Sequence, residues 1–110
     1  MGHTREHPRL ATPPNMIVFR QVARRGRGEL ANISLGGLGM RTLDRTELGA
    51  IDMTFKLPAT REPLAVTGEV VRVQERPSGE LEVGIRFHLV NPPAREGISQ
   101  FMAWARSSDR

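Results

Sequence analysis

From Glu80 to Leu89 the chain alternates without interruption: Leu81, Val83, Ile85, Phe87 and Leu89 are apolar, with Glu80, Glu82, Gly84, Arg86 and His88 between them. A period of two places the two sets on opposite faces of an extended strand. This stretch therefore reads as a β-strand with one buried face and one wet one, the pattern of antiparallel sheets. Ile51, Met53, Phe55 and Leu57 alternate in the same way with Asp52, Thr54 and Lys56 until Pro58 ends the run. Leu64 to Gln74 is a further strand whose apolar phase breaks where Val70 and Val71 stand side by side. A phase break of that kind marks a bulge or a barrel corner. Pro77-Ser78-Gly79 joins this strand to the last one as a hairpin.

Upstream, Met16-Ile17-Val18-Phe19 lies in a strand predicted from Asn15 to Val22, and Arg24-Arg25-Gly26-Arg27-Gly28 reads as a glycine-punctuated turn. Strands over Glu29 to Ser34 and Leu38 to Leu43 follow, separated by Gly36 and Gly37. At the end the period changes. Ile98, Phe101, Met102 and Ala105 line one face of a helix predicted over about 92–107, with Asn91 as its cap and Pro92 in its first turn. Gly97 weakens that first turn by about 1 kcal/mol relative to alanine. The first fourteen residues hold three prolines, two arginines and two histidines and almost nothing apolar, so residues 1–14 are expected to be a flexible arm. With 110 residues the chain supports one modest core. The expected fold is mostly β: a six-stranded antiparallel β-barrel over residues 15–110 that ends in a C-terminal α-helix.

Charge and composition narrow the function. A net charge of +4 favours an anionic partner, and fifteen of the sixteen basic residues are arginine, Lys56 being the exception. Guanidinium forks suit phosphates and guanine edges, although a GC-rich coding sequence gives the same bias. The absence of cysteine excludes disulfides and thiolate-ligated metals. No run approaches the ~18 apolar residues of a membrane span, and the N-terminus lacks the apolar stretch of a signal peptide. A soluble, cytoplasmic protein without membrane insertion is expected. No paired carboxylates and no Ser/His/Asp order emerge, so the pattern is not that of an enzyme. His3 and His7 have helical metal spacing, but Pro8 and their terminal position argue against a site, and His88 falls on a polar strand face. No metal or cofactor is expected.

Two short elements carry the chemistry. One is Arg-x-x-x-Arg at Arg5 and Arg9; the same spacing recurs at Arg20/Arg24, Arg41/Arg45 and Arg72/Arg76, so spacing alone selects none of them. The other is Asn32-x-Ser34-x-x-Gly37, which on its own reads more readily as a turn between strands. Asn32-Ile33-Ser34 also matches a glycosylation sequon, a match without meaning in an unexported chain.

In its order of elements the sequence resembles the PilZ family, whose members carry Arg-x-x-x-Arg on an N-terminal segment and Asp/Asn-x-Ser-x-x-Gly on a barrel strand further on. Arg5/Arg9 has that order and gap; the other three pairs do not. Ile33-Ser34-Leu35-Gly36-Gly37-Leu38, the strand Val66-Thr67-Gly68-Glu69-Val70-Val71-Arg72, Val83-Gly84-Ile85-Arg86-Phe87 and the terminal helix extend the resemblance over nearly the whole chain. The resemblance implies a receptor for the bacterial second messenger cyclic di-GMP, with Arg5, Arg9, Asn32, Ser34, Gly36 and Gly37 at its site. It also implies a protein effector downstream, in motility, adhesion or biofilm processes. Arg5 and Arg9 would close over guanine or phosphate from outside, while Asn32 and Ser34 accept from guanine N–H groups. Asn32 stands where Asp is commoner in the family, which implies weaker recognition of those donors. Two other readings compete: a PilZ-like adaptor that has lost its ligand, and a basic single-stranded nucleic-acid barrel. The second lacks stacking platforms. There is no tyrosine, Phe55, Phe87 and Phe101 sit on apolar faces, and only Phe19 and Trp104 are left as candidates for exposure.

Overall fold

The computed structural model describes residues 15–58, 62–88 and 90–108. Six strands and one helix follow in chain order: β1 (Met16–Gln21), β2 (Arg24–Ile33), β3 (Gly37–Thr42), β4 (Gly49–Phe55), β5 (Leu64–Glu75), β6 (Leu81–Phe87) and α1 (Pro92–Ser108). All pairings are antiparallel, and the sheet closes on itself in the order β1-β2-β3-β6-β5-β4. Closure removes every free edge. The closing pair sets Ile17 opposite Phe55 and Phe19 opposite Met53, so β1 and β4 turn these buried side chains into one interior.

The inward sets meet as predicted. Ile51, Met53, Phe55 and Leu57 are buried, as are Val83, Ile85 and Phe87, and α1 adds Ala94 and Ile98 to the same core. Each of these side chains larger than alanine contributes about 1.5–3 kcal/mol when removed from water. The helix begins where its cap predicts: Asn91 Oδ1 accepts from the Ala94 N–H at 2.9 Å. Trp104 is half-buried, its ring centroid 5.8 Å from that of Phe101.

Two expectations need correction. Arg24 to Gly28 is not a turn but the first half of β2, and the turn is only Val22-Ala23. The two glycines in that stretch serve packing. A Cβ at Gly26 would lie 2.5 Å from Phe19 Cζ, and one at Gly28 2.5 Å from Met40 Sδ. They are gaps into which larger neighbours fit. For the same reason Phe19, expected to be a candidate for exposure, is only 1% exposed.

The register gives the barrel two distinct ends. At one lie residues 22–23, 43–48 and 76–80; at the other lie 34–36, 56–58, 62–63, 88 and 90–91. Asn15 belongs to the second end, where its carbonyl accepts from Leu30 N–H at 2.9 Å. Asn15 therefore lies beside β2, bonded two residues before Asn32.

Candidate functional site

Asn32 faces outward because β2 is bulged. Leu30 pairs with Met40 and Asn32 pairs with Gly39, so β2 advances two residues while β3 advances one. Ala31 is the extra residue. A slip of one residue exchanges the faces of a strand: Leu30 packs against the core, yet Asn32 is exposed, Ile33 is buried and Ser34 is exposed again.

A second bulge mirrors the first. On β5, Val70 pairs with Ile85 and Arg72 with Gly84, leaving Val71 as the extra residue at the point where the sequence phase breaks. Gly39 and Gly84 are themselves partners. Asn32, Gly39, Gly84 and Arg72 thus form one row across β2, β3, β6 and β5, with a bulge at each end and two glycines in the middle. Adjacent strands lie about 4.8 Å apart, so the row spans about 14 Å. Its middle has no side chain of its own on the outside of the barrel.

Both flanking side chains lean over that floor. A Cβ at Gly39 would lie 3.0 Å from Asn32 Nδ2 and 3.1 Å from Oδ1. At Gly84 it would lie 3.4 Å from both Nε and Nη2 of Arg72. The rows on either side hold paired charges: Arg41 with Glu29 at 3.6 Å on one, Arg86 with Glu69 at 3.2 Å on the other. His88 Nε2 also lies 3.5 Å from Glu69. Hydrogen bonds from Arg86 first and His88 second hold the Glu69 carboxyl below its ordinary value. Arg76 pairs with Glu82. Among the described residues Arg72 forms no ion pair.

The turn after Ile33 is built by its own residues. Ser34 N–H donates to the Gly37 carbonyl at 2.8 Å, Gly36 N–H to Ser34 Oγ at 3.2 Å, and Ser34 Oγ to the Gly37 carbonyl at 3.4 Å. Phe87 N–H donates to the Gly36 carbonyl at 2.9 Å, which ties the turn to the end of β6. The two glycines differ. Gly36 is exposed and open, the nearest atom to a Cβ there being Ser34 Oγ at 4.0 Å, whereas a Cβ at Gly37 would lie 2.2 Å from the Ile85 carbonyl oxygen. Close packing of β3 on β6 is what demands glycine at position 37.

Asn32, Ser34, Gly36 and Gly37 therefore share one outer corner of the barrel. Arg5 and Arg9 lie outside the described residues. Of the other arginine pairs, Arg20 salt-bridges Asp52 at 3.5 Å, Arg24 Glu47 at 3.6 Å and Arg45 Glu47 at 3.1 Å. Sequence reasoning set Arg72 aside with these, but the bulge carries it into the row of Asn32. The adjacent Val70 and Val71 were the signal that pointed to it. A hollow of about 390 Å³ opens at the other end of the barrel, between Val22, Leu48 and the mixed charges of Arg20, Arg24, Glu47 and Asp52.

The family model for the PilZ domain matches residues 3–104. Among solved structures, the chain is similar to the PilZ domain of YcgR from Escherichia coli, determined with c-di-GMP. The TM-score is 0.74 at 15% identity, over 98% of this chain and 95% of that one. It is similar to the Bacillus subtilis inhibitor of motility MotI/DgrA (TM-score 0.75, 16% identity, 98% of this chain and 53% of that one). It is also similar to YcgR from Escherichia coli in complex with c-di-GMP (TM-score 0.66, 19% identity, 96% of this chain and 47% of that one). The chain spans about half the length of the latter two, and at these identities the likeness is one of fold. No curated protein sequence matches it.

Proposed function

The chain belongs to the PilZ domain family, and from that premise we propose that it is a receptor for cyclic di-GMP, binding the dinucleotide on the outer face of the barrel. The observation that carries this reading is the row Asn32, Gly39, Gly84 and Arg72: a strip without side chains at its two middle positions, on which a flat ring can lie, with hydrogen-bonding groups at its ends. Asn32 and Ser34 offer amide and hydroxyl oxygens toward guanine N1–H and N2–H. The open space at Gly36 admits the ligand beside the turn, and Gly37 holds that turn against β6.

Arg5 and Arg9 supply the outer wall. Arg9 is six residues before Asn15 and Arg5 ten, and extended chain covers at most about 3.5 Å per residue. From the anchor of Asn15 on Leu30, both guanidinium groups have the reach to close over the floor. The mechanism is an order transition: the arm folds across the site when the anionic ligand arrives, and the folded arm presents a new surface to an effector protein. Binding and relay, not catalysis, are the activity. The likeness to an inhibitor of motility favours a motility output, and a cytoplasmic location goes with the receptor reading.

Calorimetric titration of cyclic di-GMP into the chain tests this, with Arg9→Ala, Asn32→Ala and Ser34→Ala alongside. Saturable heat in the micromolar range, weakened about tenfold or more by each substitution, is the expected result. No heat from the unsubstituted chain at tens of micromolar ligand contradicts the reading.

A further inference from the structure

We propose that the end of the barrel away from Asn32 and Ser34 is a docking surface for a partner protein, which inserts an apolar side chain between Val22 and Leu48 and sets carboxylates against the surrounding arginines. The inference does not rest on the cyclic dinucleotide reading, since no residue of that site takes part.

Val22 is 100% exposed, Leu43 77% and Leu48 68%, and all three lie in the connections at this end. Val22 stands at the tip of the hairpin of β1 with β2 at a φ of 48°, in the left-handed region that a β-branched residue rarely adopts. Folding alone would favour glycine or asparagine there, and strain of this kind collects at functional sites. Val22 and Leu48 flank the hollow described above, and the buried Ile51 is part of its lining.

The surface is also rigid. Gln21 is buried and fixes the 43–48 segment to β1: its Nε2 donates to the Glu47 and Ala50 carbonyls at 2.8 and 3.1 Å, and its Oε1 accepts from Glu47 N–H at 3.0 Å. Thr42 Oγ1 donates to the Arg27 carbonyl at 2.6 Å, and the Asp44 carboxylate accepts from Arg27 N–H at 2.7 Å, tying the same segment to β2. Apolar groups held in place before binding lose little freedom on contact.

Charge selects the occupant. Arg20, Arg24, Arg25, Arg27 and Arg45 gather about this end against Asp44, Glu47 and Asp52. Arg24 and Arg45 share Glu47, at 3.6 and 3.1 Å, and among the described residues Arg25 and Arg27 form no ion pair. A second copy would set this positive excess against itself. An anionic lipid surface would press its phosphates against the Glu47 and Asp52 carboxylates of the hollow. An acidic protein segment with an aromatic or leucine anchor satisfies both the hollow and the arginines.

The probe is a displayed library of random linear peptides selected on the full chain, the enriched peptides then being synthesised and titrated into the isotope-labelled chain. They should carry carboxylates beside an aromatic residue or leucine, and shift the amides of residues 21–24 and 44–50. Leu48→Ser and Arg24→Glu should each weaken them about fivefold or more. Val22→Gly should weaken them too while raising Tm, because glycine takes the positive φ without steric strain. Failure to enrich any peptide, enriched peptides without carboxylates, or shifts gathered at Asn32 and Ser34 would overturn the proposal. So would a Val22→Gly chain that binds like the parent, or one that melts lower and so makes Val22 a fold element. Dimerisation abolished by Leu48→Ser would assign the surface to a second copy, and sedimentation with phosphatidylglycerol but not phosphatidylcholine vesicles would assign it to a membrane; either result also overturns it.

Discussion

At the scale of single residues, adjacent glycines in the same turn do different work. Alanine at Gly36 meets open space at ordinary φ, since the positive-φ glycines among the described residues are Gly49 and Gly79. Gly36→Ala should leave stability within about 0.5 kcal/mol of the parent and weaken cyclic di-GMP binding. Gly37→Ala drives a methyl onto the Ile85 carbonyl and should cost about 2–4 kcal/mol. Urea denaturation beside ligand titration separates the two; equal stabilities for both variants would contradict the packing described. Glu69 gives a pH prediction. Its folded pKa is depressed by Arg86 and His88, so its contribution is present above the unfolded pKa and lost as pH falls through the lowered folded value. Between about pH 5 and pH 3, Glu69→Gln should lose less Tm than the parent chain. The difference should be small, because the pair is exposed to solvent. Identical Tm profiles over that interval would count against the interaction. The shared outward face of Asn32 and Ser34 was legible in the sequence from their spacing of two. The place of Arg72 in their row was not, because it depends on the bulge at Val71, the residue immediately before it.

At the scale of elements, patterning was readable where one face is wholly apolar and misleading where glycine replaces a side chain. β4 and β6 declare their faces residue by residue, and the hairpin of β5 with β6 follows from them. The first half of β2 does not. Gly26 and Gly28 look like turn punctuation, but they are the hollows into which Phe19 and Met40 fit, a relation between strands that no local window contains. Gly26→Ala distinguishes a turn from a packed strand. A turn would tolerate the methyl, whereas the barrel should lose about 1–3 kcal/mol because Phe19 must move. Chemical denaturation reads the difference, and an unchanged midpoint would restore the turn. The two bulges belong to the same lesson. The sequence announced the one on β5 through Val70 and Val71, while Ala31 on β2 gave no phase break because Leu30, Ala31, Asn32 and Ile33 fit either register.

At the scale of the molecule, the barrel separates its ends. The turn 34–36, the entry of the chain at Asn15 and the start of α1 share one end, and the hollow near Val22 and Leu48 lies at the other. If residues 1–14 act as the ligand-closing arm proposed above, their removal should leave Tm nearly unchanged while weakening cyclic di-GMP about tenfold or more, since Arg5 and Arg9 go with them. A loss of Tm comparable to that of Gly37→Ala would show that the segment is structural. With only two phosphates on the ligand, affinity should also fall gently with salt, unlike the steep dependence of binding to a long nucleic acid.

The measurement that tests the central claim most directly is a two-dimensional amide NMR titration of the chain with cyclic di-GMP. The account predicts saturable shifts concentrated on Asn32, Ser34, Gly36, Gly37, Gly39, Arg72 and Gly84, four strands of one outer face. Shifts that gather instead around Val22, Glu47 and Leu48, or none at excess ligand, would contradict it.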